Sequence, residues 1–243
     1  MRAIRIYGSS AQAKVSLDEV AVPKPAAGEI LMRVHATAVT PGELEWYPTW
    51  HTRNVQAAVV PISGLTAWQA LFDHGKLTAG QKVLIHGGAG GVGSFAIQLA
   101  AWTGGFVATT VSGANIEFAR SLGASQVIDY QKIKFEDQVT DADLVLDLVG
   151  GDTFRRSFSA IKEGGKVVTV AASSESTDDP KAKAAFFIVE PSQPQLTELA
   201  RLLDAGILRP IVSEVVPMAT AAEAFLVSKK AAPGKIVLRV LTE

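Results

Sequence analysis

The sequence predicts an α/β protein in which a doubly wound parallel sheet is joined to a smaller part made of β-strands. Two observations lead to this prediction. From about residue 63 onward, short apolar runs alternate regularly with helical patterns, as they do when helices cross over between parallel strands. Strand-like segments also occupy both ends of the chain, near 1–40 and 236–240. We therefore expect the chain to leave a first domain, form the α/β unit and return.

The first forty residues show two strand patterns separated by a turn. Ala3–Tyr7 alternates between apolar and polar side chains, and a second run covers Glu29–Ala36. Pro25–Gly28, which lies before the second run, has the composition of a turn. This part of the chain is therefore expected to be β-structure.

The alternating region predicts its elements one after another. Helices are expected at 65–72 and near 91–102, 115–122, 152–161 and 195–205. Strands are expected at 82–86, 106–111, 126–129, 144–149, 166–171 and 185–189, with a last strand at 236–240. A polar loop is expected at 173–180.

Composition and charge exclude several classes of function. The chain has 243 residues, a net charge of −1 at pH 7 and no cysteine. The balanced charge gives no electrostatic reason to bind nucleic acid or an anionic membrane. The lack of cysteine excludes disulfides, thiolate catalysis and cysteine-ligated zinc. Because no segment has the pattern of a signal peptide or a membrane span, we expect a cytoplasmic protein.

A glycine cluster follows the first strand of the alternating region and opens a helix. Gly88, Gly90 and Gly93 match G-x-G-x-x-G in the strand–turn–helix context of a dinucleotide-binding turn. We assign Gly88 to the tight turn, Gly90 to the approach of a pyrophosphate and Gly93 to close packing of the helix. The backbone N–H groups there, with those of Gly91 and Val92, are expected to face the anion.

The cluster is compatible with one other interpretation and excludes a second. A flexible glycine-rich loop has the same composition and stays open as an alternative. A mononucleotide phosphate loop requires Lys-Ser or Lys-Thr after the last glycine, whereas Ser94 and Phe95 follow Gly93. The sequence therefore favours a dinucleotide.

Several blocks together resemble the medium-chain dehydrogenase/reductase superfamily, and within it the zinc-free branch that is similar to quinone oxidoreductases. They agree with the family in order and spacing, and they are GLTAWQAL (64–71), VLIHGGAGGVG (83–93), SLGASQVIDY (121–130), DLVLDLVGG (143–151), GGKVVTV (164–170), AAFFIVEP (184–191) and PGKIVLRV (233–240). The resemblance implies a Rossmann dinucleotide-binding domain at 59–212. It also implies a GroES-like catalytic domain made of 1–58 and 213–243.

The catalytic part departs from the family. Members carry several dozen further residues between the equivalents of Tyr47–Trp50 and Val59–Ile62, where this chain has only 51–58. In the family, that segment completes the GroES-like barrel and lines part of the substrate cleft. We therefore expect a complete Rossmann domain and a truncated GroES-like β domain.

The end of the predicted strand 106–111 bears on the choice of cofactor. An NAD-binding protein usually has an acid there for the ribose 2′-hydroxyl, whereas Ser112 and Asn115 follow the strand in this chain. The resemblance implies that Tyr130 contacts a 2′-phosphate. With no acid found at this corner, the sequence predicts NADPH as the cofactor.

Alternatives at this corner stay open. Asn115 stands where some family members carry a lysine, and Arg120 is a candidate to replace that charge, although a solvated helix face is the favoured explanation for Arg120. Glu117 is an outside candidate for an NAD ribose partner. Tyr130 is alternatively a strand-end aromatic with one wet edge.

The resemblance also assigns residues on the nicotinamide side. It implies that Thr66, Gly150 and Phe187 lie near the nicotinamide, its ribose or its phosphate. It makes Thr40 and Tyr47 the candidate catalytic residues, with Tyr47 as a hydroxyl donor to the substrate, and a packed surface aromatic is the alternative for Tyr47.

Metal chemistry is not expected. Thr40 stands where zinc-dependent relatives have a cysteine. The histidines are scattered without metal-ligand spacing, and they are His35, His51, His74 and His86. His86 is expected to be structural, with proximity to the cofactor as the alternative.

These observations give one leading function and two alternatives. The leading function is NADPH-dependent hydride transfer to a quinone, enone or similar carbonyl without zinc. The first alternative is an NADPH-binding protein with little or no catalysis, because its substrate domain is incomplete. The weaker one is a deletion variant or mis-predicted reading frame built around a dimeric Rossmann unit. A homodimer is expected through 184–190, an apolar run that would otherwise leave an exposed sheet edge.

Overall fold

In the computed structural model the chain forms two compact units, Ile62–Arg209 and Met1–Pro61 together with Pro210–Glu243. The structure describes residues 2–7, 14–22, 24, 36–38, 59–171, 178–221, 223–224 and 232–240. Among these residues no helix is long and apolar enough to cross a membrane.

The elements follow the chain in the order of their labels. The strands are β1 (Arg2–Tyr7), β2 (Lys14–Glu19), β3 (Ala36–Ala38), β4 (Lys82–His86), β5 (Phe106–Val111), β6 (Gln126–Asp129), β7 (Ala142–Asp147), β8 (Ile161–Thr169), β9 (Val212–Pro217) and β10 (Lys235–Arg239). The helices are α1 (Val60–Trp68), α2 (Gly91–Trp102), α3 (Ile116–Ser121), α4 (Gly151–Ser157), α5 (Pro180–Ala185) and α6 (Gln193–Asp204). A π-helical turn, Gln69–His74, directly follows α1.

The larger unit is built on a parallel sheet of five strands in the order β6-β5-β4-β7-β8. Its central strand β4 carries Val83, Leu84 and Ile85, all fully buried, as expected for a parallel strand covered on both faces. The chain runs outward from β4 through β5 to β6 and then crosses to β7 on the other side. This reversal beside β4 is the point where ligands bind in such sheets, at the carboxyl ends of the strands.

The smaller unit contains two sheets. Strands β1 and β2 pair antiparallel, with Arg2 opposite Glu19 and Tyr7 opposite Lys14. Strand β10 lies between β3, its antiparallel partner, and β9, its parallel partner. A small apolar cluster in this unit consists of Ala221, Ala224, Ile236 and Leu238, with Ile4 and Val216 packed against it.

The predicted α/β class is confirmed, and three strands and one helix have the predicted bounds: 82–86, 106–111, 126–129 and 91–102. Other bounds differ. Strand β7 covers 142–147 in place of 144–149, and β8 begins at Ile161, five residues before the predicted start. Ala142 already pairs with Ile161, before a register shift leads to the pair Leu144 and Lys166. Of the predicted strand 29–36, only Ala36 lies among the described residues.

The predicted strand at 185–189 is wrong. Asp179 caps α5 by accepting a hydrogen bond from the N–H of Lys181, and Pro180 occupies the first turn, so the chain is helical up to Ala185. Phe186 then makes a single parallel bridge with Thr169. The polar loop predicted at 173–180 thus ends earlier than expected, because the Asp-Pro pair at 179–180 is a typical helix start.

The side chain of Phe187 points inward and anchors residues 186–190. Phe187 is 7% exposed, whereas the adjacent Ile188 is 46% exposed. The ring of Phe187 stacks on that of His74, with 4.2 Å between ring centroids. The expected dimer through 184–190 therefore loses the edge strand on which it was based.

This burial pattern predicts different costs at adjacent positions. Phe187→Ala should lower the free energy of unfolding by about 3 kcal/mol, because it truncates a buried aromatic ring. Ile188→Ala should change it by no more than about 0.5 kcal/mol, because that side chain is largely in water. Urea denaturation of both variants measures the difference. Equal losses would contradict the inward orientation of Phe187.

Candidate functional site

The turn between β4 and α2 is shaped by tight packing of glycines. Gly87 has φ of +79°, in the left-handed region, whereas Gly88 does not. The assignment of the tight turn to Gly88 is therefore corrected to Gly87. Gly88 is needed for another reason, because a Cβ there would lie 2.1 Å from Oγ1 of Thr109 on β5.

Helix α2 begins in contact with this turn. A Cβ on Gly93 would come within 2.3 Å of the carbonyl oxygen of Gly87 and 2.8 Å of Cα of Gly88. Gly90 is the N-cap residue, no side chain caps the helix, and no acid lies in its first turn. The first-turn N–H groups, those of Gly91, Val92 and Gly93, have no partner within the helix. The turn therefore fits an anion such as a pyrophosphate.

A groove of about 540 Å³ lies beside this helix start, at the carboxyl ends of the strands. It brings together four residues predicted from the sequence: Gly90, Ser112, Asn115 and Tyr130. Residues that sequence reasoning did not assign to a cofactor site also line it, among them Thr110, Phe135, Leu148, Val149, Thr153 and Arg156. His86, weighed only as an alternative, lines it as well.

The corner at Ser112 is organised by short polar contacts. Nδ2 of Asn115 donates to Oγ of Ser112 at 2.9 Å, and the N–H of Asn115 donates to the carbonyl of Ser112 at 2.8 Å. The side chain of Tyr130 is 61% exposed at the rim of the groove. Asn115 and Tyr130 therefore lie at the ends of β5 and β6, where a ribose or its phosphate would lie.

Arg120 and Glu117 pair with each other on the outside of α3. Their Nη1 and Oε1 atoms are 2.6 Å apart, and both side chains are mostly exposed. Neither residue lines the groove. The solvated helix face is therefore the interpretation that the geometry favours for Arg120.

A carboxylate lies close to this corner, contrary to the sequence interpretation that no acid is there. Asp129, the last residue of β6, is buried, and its Oδ2 would lie 2.7 Å from a Cβ on Gly113. Its Oδ1 accepts a hydrogen bond from the N–H of Gln131, and Nζ of Lys132 is 3.7 Å from Oδ2. Sheet pairing of β5 with β6 brings Asp129 opposite Val111, a neighbour that local sequence does not reveal.

His86 is fully buried at the bottom of the groove. Its Nδ1 lies 3.0 Å from Oγ1 of Thr110, and its ring meets the ring of Phe135 edge-on at 4.4 Å. Burial, together with the nearby Arg156, lowers the pKa of His86 to about 4, and Glu136 opposes the shift. His86 is therefore a neutral imidazole near pH 7.

Arg156 lines the groove and is paired with Glu136. Nε and Nη2 of Arg156 donate to Oε1 and Oε2 of Glu136 at 2.5 and 2.6 Å. The hydrogen bond from Arg156 holds the pKa of Glu136 below its usual value. The guanidinium also lies over the ring of Phe135, 4.9 Å from its centroid. No local motif marks this pair, because its members come from different connections of the sheet.

On the other side of β4, Asp147 organises the end of β7. Its carboxylate is fully buried and accepts hydrogen bonds from the N–H groups of Val149 and Gly150 and from Oγ1 of Thr169. Gly150 has φ of +76°. The predicted residue Gly150 therefore sits at the carboxyl edge in a turn that Asp147 holds.

The remaining predicted residues lie apart from the groove. Thr66 is buried, and its hydroxyl donates to the carbonyl of Ile62 in its own helix at 2.7 Å. Phe187 packs against His74. The candidate catalytic residues, Thr40 and Tyr47, lie outside the described residues. Among the described residues, no three His, Cys, Asp or Glu side chains come together as a metal site.

Comparison with known proteins identifies the family. A family model described as zinc-binding dehydrogenase matches residues 122–238. The probable zinc-binding oxidoreductase, mitochondrial, of Arthroderma benhamiae is 32% identical over 232 residues, which cover 86% of this chain and 69% of that protein. The chain belongs to the medium-chain dehydrogenase/reductase superfamily. This is a family of oxidoreductases, and the predicted family is confirmed.

Two further matches show how much of this chain, and of each known protein, is similar. The NADPH-dependent alkenal/one oxidoreductase, chloroplastic, of Arabidopsis thaliana is 35% identical over 188 residues, or 75% of this chain and 46% of that protein. The solved structure of the quinone oxidoreductase from Coxiella burnetii is 26% identical, with a TM-score of 0.84 and 99% of both chains covered. The match spans 69% of the Arthroderma benhamiae protein and 46% of the Arabidopsis thaliana protein, so the chain covers only part of the length of these curated relatives. Because one relative is named mitochondrial and another chloroplastic, the cytoplasmic location stays a prediction.

The buried imidazole predicts how stability depends on pH in this reductase-family chain. In the unfolded state His86 takes up a proton near its ordinary pKa of 6.5, but in the folded state burial lowers that pKa to about 4. The unfolded state thus binds more protons between these values. The contribution of neutral His86 to the free energy of unfolding is complete above pH 6.5. It is lost as the pH falls towards 4, by about 3 kcal/mol in all.

Urea unfolding from pH 7.5 to 4.5, in steps, measures this effect in wild type and in His86→Gln. The variant has no titrating ring, so its free energy of unfolding should fall less steeply across the window. The same pH dependence in both proteins would show that His86 is not kept neutral by the fold.

Proposed function

We propose that this protein is an NADPH-dependent oxidoreductase that transfers a hydride to a quinone, enone or similar carbonyl without zinc. The observation that carries the proposal is the pairing of an uncapped helix start at Gly90–Gly93 with the polar corner at Ser112, Asn115 and Tyr130. The groove thus lies beside unpaired N–H groups suited to a pyrophosphate and contains side-chain donors for a ribose phosphate.

The nicotinamide of such a cofactor supplies the hydride, and the protein supplies position and field. The N–H groups of Gly91, Val92 and Gly93 would hold the pyrophosphate, as the tight packing of Gly93 against Gly87 allows. Ser112, Asn115 and Tyr130 would receive the 2′-phosphate. The turn at Gly150, held by Asp147, would border the nicotinamide ribose.

Polarisation of the carbonyl is assigned to hydrogen bonds. The chain has no cysteine, and a zinc site that uses thiolates is therefore ruled out. Thr40 and Tyr47 are the proposed donors from the substrate side. A donor aimed at the developing oxyanion is worth about a hundredfold to a thousandfold in rate.

A second function is an NADPH-binding protein with little or no catalysis. It is favoured by the partial match, because the chain spans only 46% and 69% of two relatives whose names denote oxidoreductases. Binding and turnover use different parts of the chain. The groove described above belongs to Ile62–Arg209, while the proposed donors lie before that unit.

Cofactor preference tests the polar corner. NADPH is expected to bind about tenfold more tightly than NADH, the effect of about 1.4 kcal/mol from one added hydrogen bond to the phosphate. Asp129→Asn should increase this ratio, because it removes a buried negative charge near the corner, and Tyr130→Phe should decrease it. Fluorescence titration with both cofactors measures the ratios. Tighter binding of NADH by the wild type would contradict the proposal.

Turnover separates the two functions. Steady-state oxidation of NADPH with a panel of small quinones and enones should give saturable activity that falls about a hundredfold or more in Tyr47→Phe. Metal analysis of the same preparation should give no stoichiometric zinc. NADPH binding without measurable oxidation would favour the binding protein, and stoichiometric zinc would exclude the zinc-free mechanism.

A further inference from the structure

The π-helical turn after α1, Gln69–His74, is a distinctive piece of backbone. The N–H of Gly75 donates to the carbonyl of Ala70 at 2.9 Å, a bond between residues five apart. This wider spacing brings residues five apart nearer to one side of the helix than α-helical spacing does. Such turns are rare and occur frequently at functional sites. Here Gln69 and His74 both contact the same remote segment, Phe187–Glu190.

The side chain of Gln69 binds the backbone of that segment. The side chain is only 5% exposed. Its Nε2 donates to the carbonyl of Glu190 at 2.8 Å, and its Oε1 accepts from the N–H of Glu190 at 3.0 Å. Nε2 also donates to Oε1 of Gln195 at 2.9 Å. One amide therefore pairs both backbone groups of Glu190, as a neighbouring strand would do.

His74 holds the other end of the segment. Its ring stacks on Phe187 with centroids 4.2 Å apart and an angle of 26° between the planes. Among the described residues, the one strand-like contact at this end is the bridge of the preceding residue, Phe186, with Thr169. Beyond this contact with Thr169, the segment is held by the two side chains of the π-helical turn.

The segment lies at the carboxyl edge of the parallel sheet. The N–H of Phe187 donates to the carbonyl of Thr169, the last residue of β8, at 3.3 Å. Oγ1 of Thr169 donates to Asp147, which also accepts from the N–H of Gly150. Segment Phe187–Glu190 therefore continues the edge formed by the ends of β7 and β8.

The carboxyl ends of β7 and β8 belong to the half of the sheet that is expected to face the second nucleotide of a dinucleotide. Doubly wound sheets bind a dinucleotide across two halves that meet at the strand-order reversal. The polar corner of Ser112, Asn115 and Tyr130 lies at the ends of β5 and β6, although the groove also reaches residues that follow β7, such as Leu148 and Val149. With the 2′-phosphate at that corner, the nicotinamide nucleotide is expected towards the ends of β7 and β8.

We propose that Gln69 is a positioning residue for the nicotinamide half of the cofactor, and that it acts by holding the backbone of segment Phe187–Glu190. The proposal rests on the proposed function. It differs from a purely structural role, because it requires that loss of the Gln69 amide affects one half of the cofactor and leaves the other half unchanged.

The chain contains a matched control, Gln98 on α2. Gln98 is 6% exposed. Its Nε2 donates to the carbonyl of Arg209 at 3.2 Å, and its Oε1 accepts from the N–H of Arg209 at 2.9 Å. This is the same pairing of one buried amide with both backbone groups of a distant residue. Arg209 follows α6 and does not line the groove, so the control changes a similar bond away from the cofactor edge.

The experiment compares Gln69→Met with Gln98→Met in the full chain. Calorimetric or fluorescence titration gives the affinity for NADPH and for 2′,5′-ADP, which contains the adenosine half and its 2′-phosphate. Gln69→Met should weaken NADPH binding about tenfold, the loss expected when a buried hydrogen-bonding group is left unpaired. It should leave 2′,5′-ADP binding unchanged within about twofold. Gln98→Met should leave both affinities unchanged, although both variants should unfold more easily.

A second variant covers the case in which Gln69→Met does not fold. His74 is exposed, so His74→Ala removes the stacking on Phe187 without opening the core, and it should also weaken NADPH binding but not 2′,5′-ADP binding. Equal weakening of both ligands, or no change in either, would overturn the proposal. If the wild type binds 2′,5′-ADP and the variants give either of these results, only the role of Gln69 is refuted and the proposed function stands. Wild-type protein that binds neither ligand refutes the proposed function as well.

Discussion

The candidate site depends on the close approach of α2 to the turn that follows β4. No side chain fits at Gly93, because a Cβ there would lie 2.3 Å from the carbonyl oxygen of Gly87. Only glycine therefore lets the helix begin at this point. Its first-turn N–H groups then face the carboxyl edge of the sheet, where the positive end of the helix dipole favours an anion. The groove beside Ser112 follows from the place where this helix begins.

Buried polar side chains hold the other half of the same edge. Asp147 ties the turn at Gly150 to Thr169, and Gln69 pairs with the backbone of Glu190. Each of these groups is costly to bury unless its partners are present. Truncating either side chain would therefore leave its buried partners without a hydrogen bond and destabilise this edge of the sheet. They take the place of ladder hydrogen bonds where the regular sheet ends at β8.

The success of the sequence predictions varied with the range of the interactions concerned. The bounds of β4 and α2 were predicted residue for residue, because an apolar run, the glycines and a helical period lie within about twenty consecutive residues. The strand predicted at 185–189 failed although its composition is apolar and aromatic. There the burial of Phe187 against His74 and the helix cap at Asp179 prevailed over β propensity. The acid at Asp129 was missed because it reaches the corner through sheet pairing.

The sequence by itself determined the α/β class, the glycine turn of a dinucleotide-binding unit and the family. These properties are encoded in short-range patterns that one chain displays directly. Only the tertiary structure decided that Arg156 and Phe135 line the groove, that Asp129 lies near the polar corner and that Gln69 holds Glu190. The physical reason is that these contacts join residues far apart in the chain. The order of strands in the sheet selects such partners, and periodicity and local propensity carry no information about them.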